Sequence, residues 1–402
     1  MSTTESTASR HTAGFVIGLG LMLSMGAFPL EATLPNLPAI ASDLGADARL
    51  TQLIVSVTIL GFALSQIPIG LLADRFGRRV VLLGSTCVYL VGAIASSLAE
   101  SIEVLLAARF LLGLGATAGP VVARAIIRDV TTPAEGIRLL SAGLALATSA
   151  LIFTPLTSSI ILHFTGWRGS LLLIVTHGAV ILGYAWLALS ETATSDHRHY
   201  SPWQQFKRSV RLYVGCGKSL FATVTMAVSF GGFFAFVTSV STLVIDVYQL
   251  SPGYYAMLYT LPMCAVTGAA MIVRKSVARW PRASMVHLAI ALVAGSGVVL
   301  AVCSLWPTPS LPLLWAILTL YAFGYGLVMP LMISITLEPL PEVAGFVSSI
   351  MGTVQFGMGT LISTLAAFFY AGTTQTMTVL MSVMAALCTL FFLTTRKVML
   401  AH

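Results

Sequence analysis

Apolar residues in this chain come in runs of about twenty, separated by short polar connections. The runs fall at roughly 13–34, 50–72, 80–99, 104–126, 137–163, 169–190, 218–241, 254–273, 285–306, 313–336, 344–370 and 376–395. A stretch of 18 or more apolar residues is long enough to cross the hydrocarbon of a bilayer as a helix. The pattern therefore predicts an all-α membrane protein with twelve transmembrane helices. A polar stretch at 191–217 divides the spans six and six. The expected organisation is a tail at 1–12, a six-helix bundle at 13–190, a linker at 191–217, a second six-helix bundle at 218–395 and a tail at 396–402. The two bundles are expected to be pseudo-symmetric. The first apolar run is too long for a signal-peptide core and lacks a small-residue cleavage site, so it reads as the first span.

Composition agrees. Of 402 residues, 57% are hydrophobic and 9% charged, against about 25% charged in soluble domains. So few ionic groups cannot cover a water-facing surface. The net charge of +7 raises the possibility of a nucleic-acid partner, but its placement argues against one. Alternate connections carry Arg75, Arg78, Arg79, Arg128, Arg138, Arg198, Lys207, Arg208, Arg211, Lys218, Arg274, Lys275, Arg279, Arg282, Arg396 and Lys397; the others keep only Arg49 and Arg168. This asymmetry follows the positive-inside rule and predicts both termini in the cytoplasm. The five cysteines lack metal or redox spacing, and no metal or cofactor is expected.

In the linker, Trp203, Phe206, Val210 and Tyr213 recur at helical spacing with Lys207, Arg208 and Arg211 between them. They predict an amphipathic helix on the inner leaflet, its aromatics in the interface and its cations toward anionic head groups. An unstructured charged linker is the alternative.

Embedded titratable groups are few. Nearly all acids fall in connections or the tail. Glu31 is the exception, and Asp246 lies at the outer end of the seventh span. A carboxylate inside hydrocarbon is expensive and by default marks a proton or ion path. Arg109 is the one arginine well inside a span. At 1.5 Å per residue it lies roughly 9 Å below the outer surface, and Glu31 roughly 12 Å if the first span continues to Ala39. Shared depth makes the two candidate partners in proton coupling. The alternatives are a solvated carboxylate at a frayed helix end and a structural arginine brace. His177 and His287 read as hydrogen-bonded packing residues rather than proton carriers. The later spans offer Phe234, Tyr259, Met263, Tyr325 and Gln355 as candidate cavity residues, with Phe233, Phe236, Tyr321 and Met329 beside them. Together they suggest a mostly apolar pocket with sparse polar groups.

Between the second and third spans stands Gly70-Leu-Leu-Ala-Asp74-Arg75-Phe-Gly77-Arg78-Arg79. It resembles, at every specified position, the loop signature G-x-L-A-D-R-x-G-R-[KR] of the major facilitator superfamily. Arg109 with Gly113 and Gly115 resembles the fourth-span signature of proton-driven exporters in that superfamily. Leu30–Pro38 and Val122–Asp129 resemble the Bcr/CflA (bicyclomycin/chloramphenicol resistance) subfamily, with Glu31 where an aspartate is usual and Thr33 where a tyrosine is usual. The fifth span departs from the antiporter pattern G-x-x-x-G-P-x-x-G-G: Pro155 is kept, but Ala150, Thr154, Ser158 and Ser159 stand in place of the glycines. The second half has only the basic run Arg274–Arg282, without an acid.

The resemblance implies the superfamily's twelve-helix fold and proton-coupled export, with Glu31 and Arg109 as coupling residues. It also implies a conformational latch made of Gly70, Asp74, Arg75, Gly77, Arg78, Arg79 and Asp129, and one-sided because the second half lacks the acid. The expected partners are a small, fairly apolar substrate, protons and membrane lipids, with the protein acting as a monomer in a bacterial inner membrane. No nucleotide-binding loop, H-E-x-x-H or G-x-S-x-G motif occurs, so no enzyme activity is expected. A uniporter or importer of one metabolite, or a non-transporting sensor or scaffold, is the alternative. The sequence does not name the substrate.

Overall fold

The computed structural model describes residues 13–131, 133–192, 202–276 and 279–400. The tail at 1–12, Arg198 and most of the predicted linker before Pro202 lie outside the described residues. The first span, α1, is broken: Ala13–Ser24 and Phe28–Asp43 meet at 64°. Then come α2 (Ala48–Phe76), α3 (Arg78–Ser97) and α4 (Ile102–Val130). The continuous stretch Pro133–Leu187 is two helices, α5 and α6, meeting at Gly166, whose φ of 73° with ψ of −180° is open only to glycine. After α7 (Pro202–Gly215) come α8 (Gly217–Thr242), α9 (Pro252–Ser276), α10 (Arg282–Cys303), α11 (Leu311–Leu337), α12 (Ala344–Phe368) and α13 (Gln375–Met399). Ten described helices are long and apolar enough to cross a membrane, and the bent pair makes eleven. Dividing the longest at Gly166 gives the twelve crossings that the apolar runs predict.

The first span runs nine residues beyond its expected end, to Asp43, and its break is local chemistry. Pro29 has no N–H and its ring crowds the carbonyl of Met25, four residues back. The chain turns over Met25–Ala27 with short-range bonds, Met25 N to Met22 O and Ala27 N to Ser24 O. Pro35 imposes a second irregularity, a 3-10 turn at Leu34–Asn36. There the Ala32 carbonyl accepts from Asn36 Nδ2 at 2.7 Å and from Ser158 Oγ at 2.6 Å. Ser158 and Ser170 lie 2.7 Å apart, joining α1, α5 and α6. The residue standing for a glycine in α5 thus serves a buried hydrogen-bond network.

Glycines set the spacing around α4. A Cβ on Gly61 would strike the Phe110 carbonyl, one on Gly113 the Thr58 carbonyl, and one on Gly115 the Tyr89 amide. Backbones this close are a device of membrane helices, where small residues let van der Waals contact replace hydrophobic drive. A Gly113→Ala substitution is expected to lower the thermal unfolding temperature in detergent, at a cost of about 1–3 kcal/mol. Gly84, with nothing near its Cβ position, supplies the control: if Gly113→Ala is as stable as Gly84→Ala, the packing argument fails.

The halves meet along one continuous seam, mostly α2 against α12. At one end Arg49 Nε donates to the Tyr370 carbonyl at 3.2 Å. Next, Gln52 Nε2 reaches Thr242 Oγ1 of α8 at 3.1 Å and Ser363 donates to Ser56 at 2.6 Å. Midway, the Phe62 and Phe356 rings meet edge-on at 4.5 Å. At the arginine-rich end the Cβ position of Gly352 lies 3.0 Å from Gln66, and that of Gly70 lies 3.4 Å from Ser349 Oγ.

The linker helix α7 forms as predicted, but not all its aromatics face lipid. Phe206 packs edge-on to Phe346 of α12 at 5.5 Å, and Tyr213 is buried. Arg208 pairs with Glu342 at 3.3 Å. These rings dock on the second half, while Lys207, Arg208 and Arg211 stay exposed.

Candidate functional site

The elbow in α1 carries its second limb toward the other half of the molecule, and Glu31 lies on that limb. Its carboxylate is buried. Oε1 accepts a hydrogen bond from the Tyr259 hydroxyl of α9 at 2.9 Å, across 228 residues of sequence. Oε2 is buried without a protein partner. Arg109 is also buried, and its Nε and Nη2 find no acceptor. The two share the interior but do not meet: the described contacts of Glu31 are with Tyr259, not with Arg109. The guanidinium interacts electrostatically with Tyr89.

Tyr259 belongs to an aromatic series that crosses the second half. Tyr255 and Phe236 stack on it at 5.7 and 6.0 Å. Phe233 lies 6.1 Å from Phe236 and stacks on Tyr325 at 4.6 Å. Phe230 joins Phe234 at 4.6 Å and Phe356 at 5.3 Å, and Phe356 meets Phe62 of the first half. The expected cavity residues Phe234, Tyr259, Tyr325 and Gln355 are all buried here, with Gln355 beside the Tyr325 hydroxyl; Met263 is half-buried on α9. Tyr255, Phe230, Phe62 and Phe356 complete the series. Tyr255 could have been found from the sequence, since it sits one helical turn before Tyr259 on the same face. In this conformation the cavity at the elbow, against Leu30, Phe62, Gly113 and Phe356, holds about 10 Å³. That is roughly room for one water.

His177 and His287 have separate environments. His177 is buried, bonded to Ser24 and Tyr89. His287 is exposed on the flank of α10 with Nδ1 on the Ala283 carbonyl. Asp246 is exposed in a π turn, Leu243–Val247, that ends α8.

The decapeptide forms a tight junction between α2 and α3. Gly77 takes φ of 100°, and a Cβ there would strike the Glu191 carboxylate. That carboxylate accepts from the amides of Arg78 (2.8 Å) and Arg79 (3.2 Å), capping the positive end of α3. The Arg78 side chain, 2% exposed, bonds Asp74 Oδ1 at 2.5 Å and Asp129 Oδ2 at 3.0 Å. Arg79 donates to the carbonyls of Ala185 and Trp186. Arg75 stands apart from these pairs and lies 5.2 Å over the Phe76 ring. Among the described residues, Asp74 pairs with Arg78 and Arg128, both within the first half. Toward the second half, Gly70 lies near Ser349 and Arg128 lies beside Gly345.

The expectation that this charge cluster is one-sided needs correction. At the matching place in the second half, Arg282 starts α10 as Arg78 starts α3, and Glu338 follows α11 as Asp129 ends α4. Glu338 Oε2 pairs with Arg282 at 2.9 Å and Lys218 at 3.2 Å. Burial works against its charge, but the hydrogen bonds from Lys218 and Arg282 outweigh it and hold the carboxyl below the usual range. The acid missing from the loop is supplied by the end of the next helix but one.

Comparison with known proteins settles the family. The pattern of the Major Facilitator Superfamily matches residues 12–364. The chain belongs to this superfamily. Among similar proteins, the "Bicyclomycin resistance protein homolog" of Haemophilus influenzae is 23% identical over 96% of this chain and 98% of its own length. The "Chloramphenicol resistance protein" of Pseudomonas aeruginosa is 26% identical over 86% and 82%. The fold is that of a solved bacterial homologue of the human lysosomal transporter Spinster, with TM-score 0.73 at 15% identity, covering 98% of each chain. It is also that of the Escherichia coli xylose transporter XylE, with TM-score 0.69 at 12% identity, covering 95% of this chain and 97% of that one. The chain is a multi-pass secondary transporter of small molecules.

Proposed function

We propose that this transporter is a proton-coupled antiporter that exports small, fairly apolar molecules across a bacterial inner membrane. In this reading the units are the tail 1–12, bundles 13–190 and 218–395, the linker 191–217 and the tail 396–402, with both termini cytoplasmic and the protein acting as a monomer. It involves no nucleic acid and no enzymatic step. The observation that carries the proposal is Glu31: a buried carboxylate between the halves, with one oxygen held by the opposite half and the other unpartnered.

Such a group links charge to conformation. When the halves part toward the outside, water reaches Glu31, a proton binds, and the substrate departs. When they part toward the cytoplasm, a substrate entering beside Tyr259 and the aromatic series displaces the proton inward. Arg109, buried without an acceptor, biases the exchange through its field. Arg78, with Asp74 and Asp129, braces the cytoplasmic ends of α2, α3 and α4 so that they move as a body; Gly70, Gly77, Arg75 and Arg79 shape that junction.

Substrate-induced proton release tests this. The relatives' names recommend chloramphenicol and bicyclomycin as first probes. Adding either to weakly buffered purified protein near neutral pH is expected to release protons in a saturable way. A transported probe that binds saturably and releases none would turn the reading toward uniport.

A further inference from the structure

The elbow of α1 is held by a residue that the proton-exchange reading does not use. His177 of α6 is buried and touches the elbow on both sides. Before the break, its Nε2 lies 3.0 Å from Ser24 Oγ. After the break, its ring stacks on Phe28 at 4.1 Å with planes 8° apart. On the remaining edge, Nδ1 lies 3.2 Å from the Tyr89 hydroxyl of α3.

One proton arrangement satisfies all of these groups. Ser24 donates its own hydrogen to the Leu21 carbonyl at 2.8 Å, so its oxygen is left to accept. A neutral imidazole with hydrogen on Nε2 donates to it, and Tyr89 donates to Nδ1; this tautomer is inferred from the network. Tyr89 is in turn the electrostatic neighbour of Arg109.

The break removes the helical bonds that would otherwise fix the angle between the limbs. Glu31 lies three residues after Phe28, on the same helix face. Any rotation about the elbow therefore swings the carboxylate away from Tyr259. We propose that His177 is a positioning residue: it staples the two limbs of α1 to α3 and α6 so that Glu31 is aimed at Tyr259 of the opposite half. The consequence for transport rests on the proton-exchange role of Glu31. The geometric claim does not.

The test uses the full chain with 3-fluorotyrosine at position 259, followed by fluorine NMR in detergent. With His177 present, Glu31→Gln is expected to shift the resonance, because an amide replaces the carboxyl that accepts from the Tyr259 hydroxyl. In a His177→Phe background, which keeps an aromatic ring against Phe28 but cuts both hydrogen bonds, Glu31→Gln is expected to leave it unmoved. A shift of equal size in both backgrounds overturns the proposal, since the effects of coupled residues must not add. Should His177→Phe not fold, the Ser24→Ala/Tyr89→Phe pair cuts the same bonds with the ring in place and is read the same way. Titrating the resonance over about pH 5 to 9 then separates the claims. A resonance that never titrates, yet loses its response to Glu31→Gln in the His177 variant, rejects proton exchange and upholds the positioning role.

Discussion

Glu31→Gln is expected to abolish proton-driven accumulation while leaving the protein folded and able to bind substrate. Glutamine has nearly the same shape and its carbonyl can still accept from Tyr259, so the contact across the halves survives. Only the ability to change charge is lost. A unit charge moved through 100 mV carries about 2.3 kcal/mol, which corresponds to a gradient of about fifty-fold. In vesicles energised to that potential, the substrate gradient should fall from tens-fold to none in the variant. Facilitated equilibration down the substrate's own gradient should remain. Asp246→Asn provides the contrast, because Asp246 is exposed and should not matter. Gradient-driven transport by Glu31→Gln at the native level would remove Glu31 from the coupling mechanism.

The second large effect is expected at Arg78. Its guanidinium is buried between Asp74 and Asp129, and Asp129 is itself only 11% exposed. In Arg78→Ala, Asp129 keeps only the looser contact with Arg128 at 3.6 Å. Removing one partner of a buried ion pair costs about 3–5 kcal/mol, because the remaining charge is left without compensation. The variant should unfold at a markedly lower temperature in detergent and accumulate poorly in membranes. Arg75→Ala, three residues away in the same signature, should cost about 0.5 kcal/mol or less, as exposed positions usually do. Equal stability of the two variants would mean that the signature acts as a loop and not through its buried pair.

Much of this was legible in the sequence, and the rest was not, for physical reasons. Apolar length alone gives the crossings, since a span in hydrocarbon must satisfy its own backbone and has one conformation open to it. The junction at Gly70–Arg79 was legible because its chemistry is local: a glycine at positive φ and a buried arginine four residues from its acid. The coupling region was half legible. Glu31 and Arg109 stand out because charge is rare in a membrane, yet shared depth did not imply contact. Depth fixes one coordinate of three, and the other two depend on the elbow at Met25–Ala27. Tyr259 appeared only as one aromatic among several; nothing local ties it to a residue 228 positions away. The second charge cluster is not legible in the sequence, because its acid, Glu338, lies far from Arg274–Arg282 and meets Arg282 only after α10 and α11 have folded back.

The continuous seam between α2 and α12 bears on the energy economy of the cell. Because contacts run from Arg49–Tyr370 at one end to Gly70–Ser349 at the other, either end can part while the far end stays sealed. A carrier whose two ends opened together would be a hole for protons, discharging the potential that drives every other pump in the same membrane. Substitutions that enlarge Gly352 or remove the Ser56–Ser363 bond should therefore show first as uncoupled proton conductance, before any failure to move cargo. The close fit of the seam acts as electrical insulation.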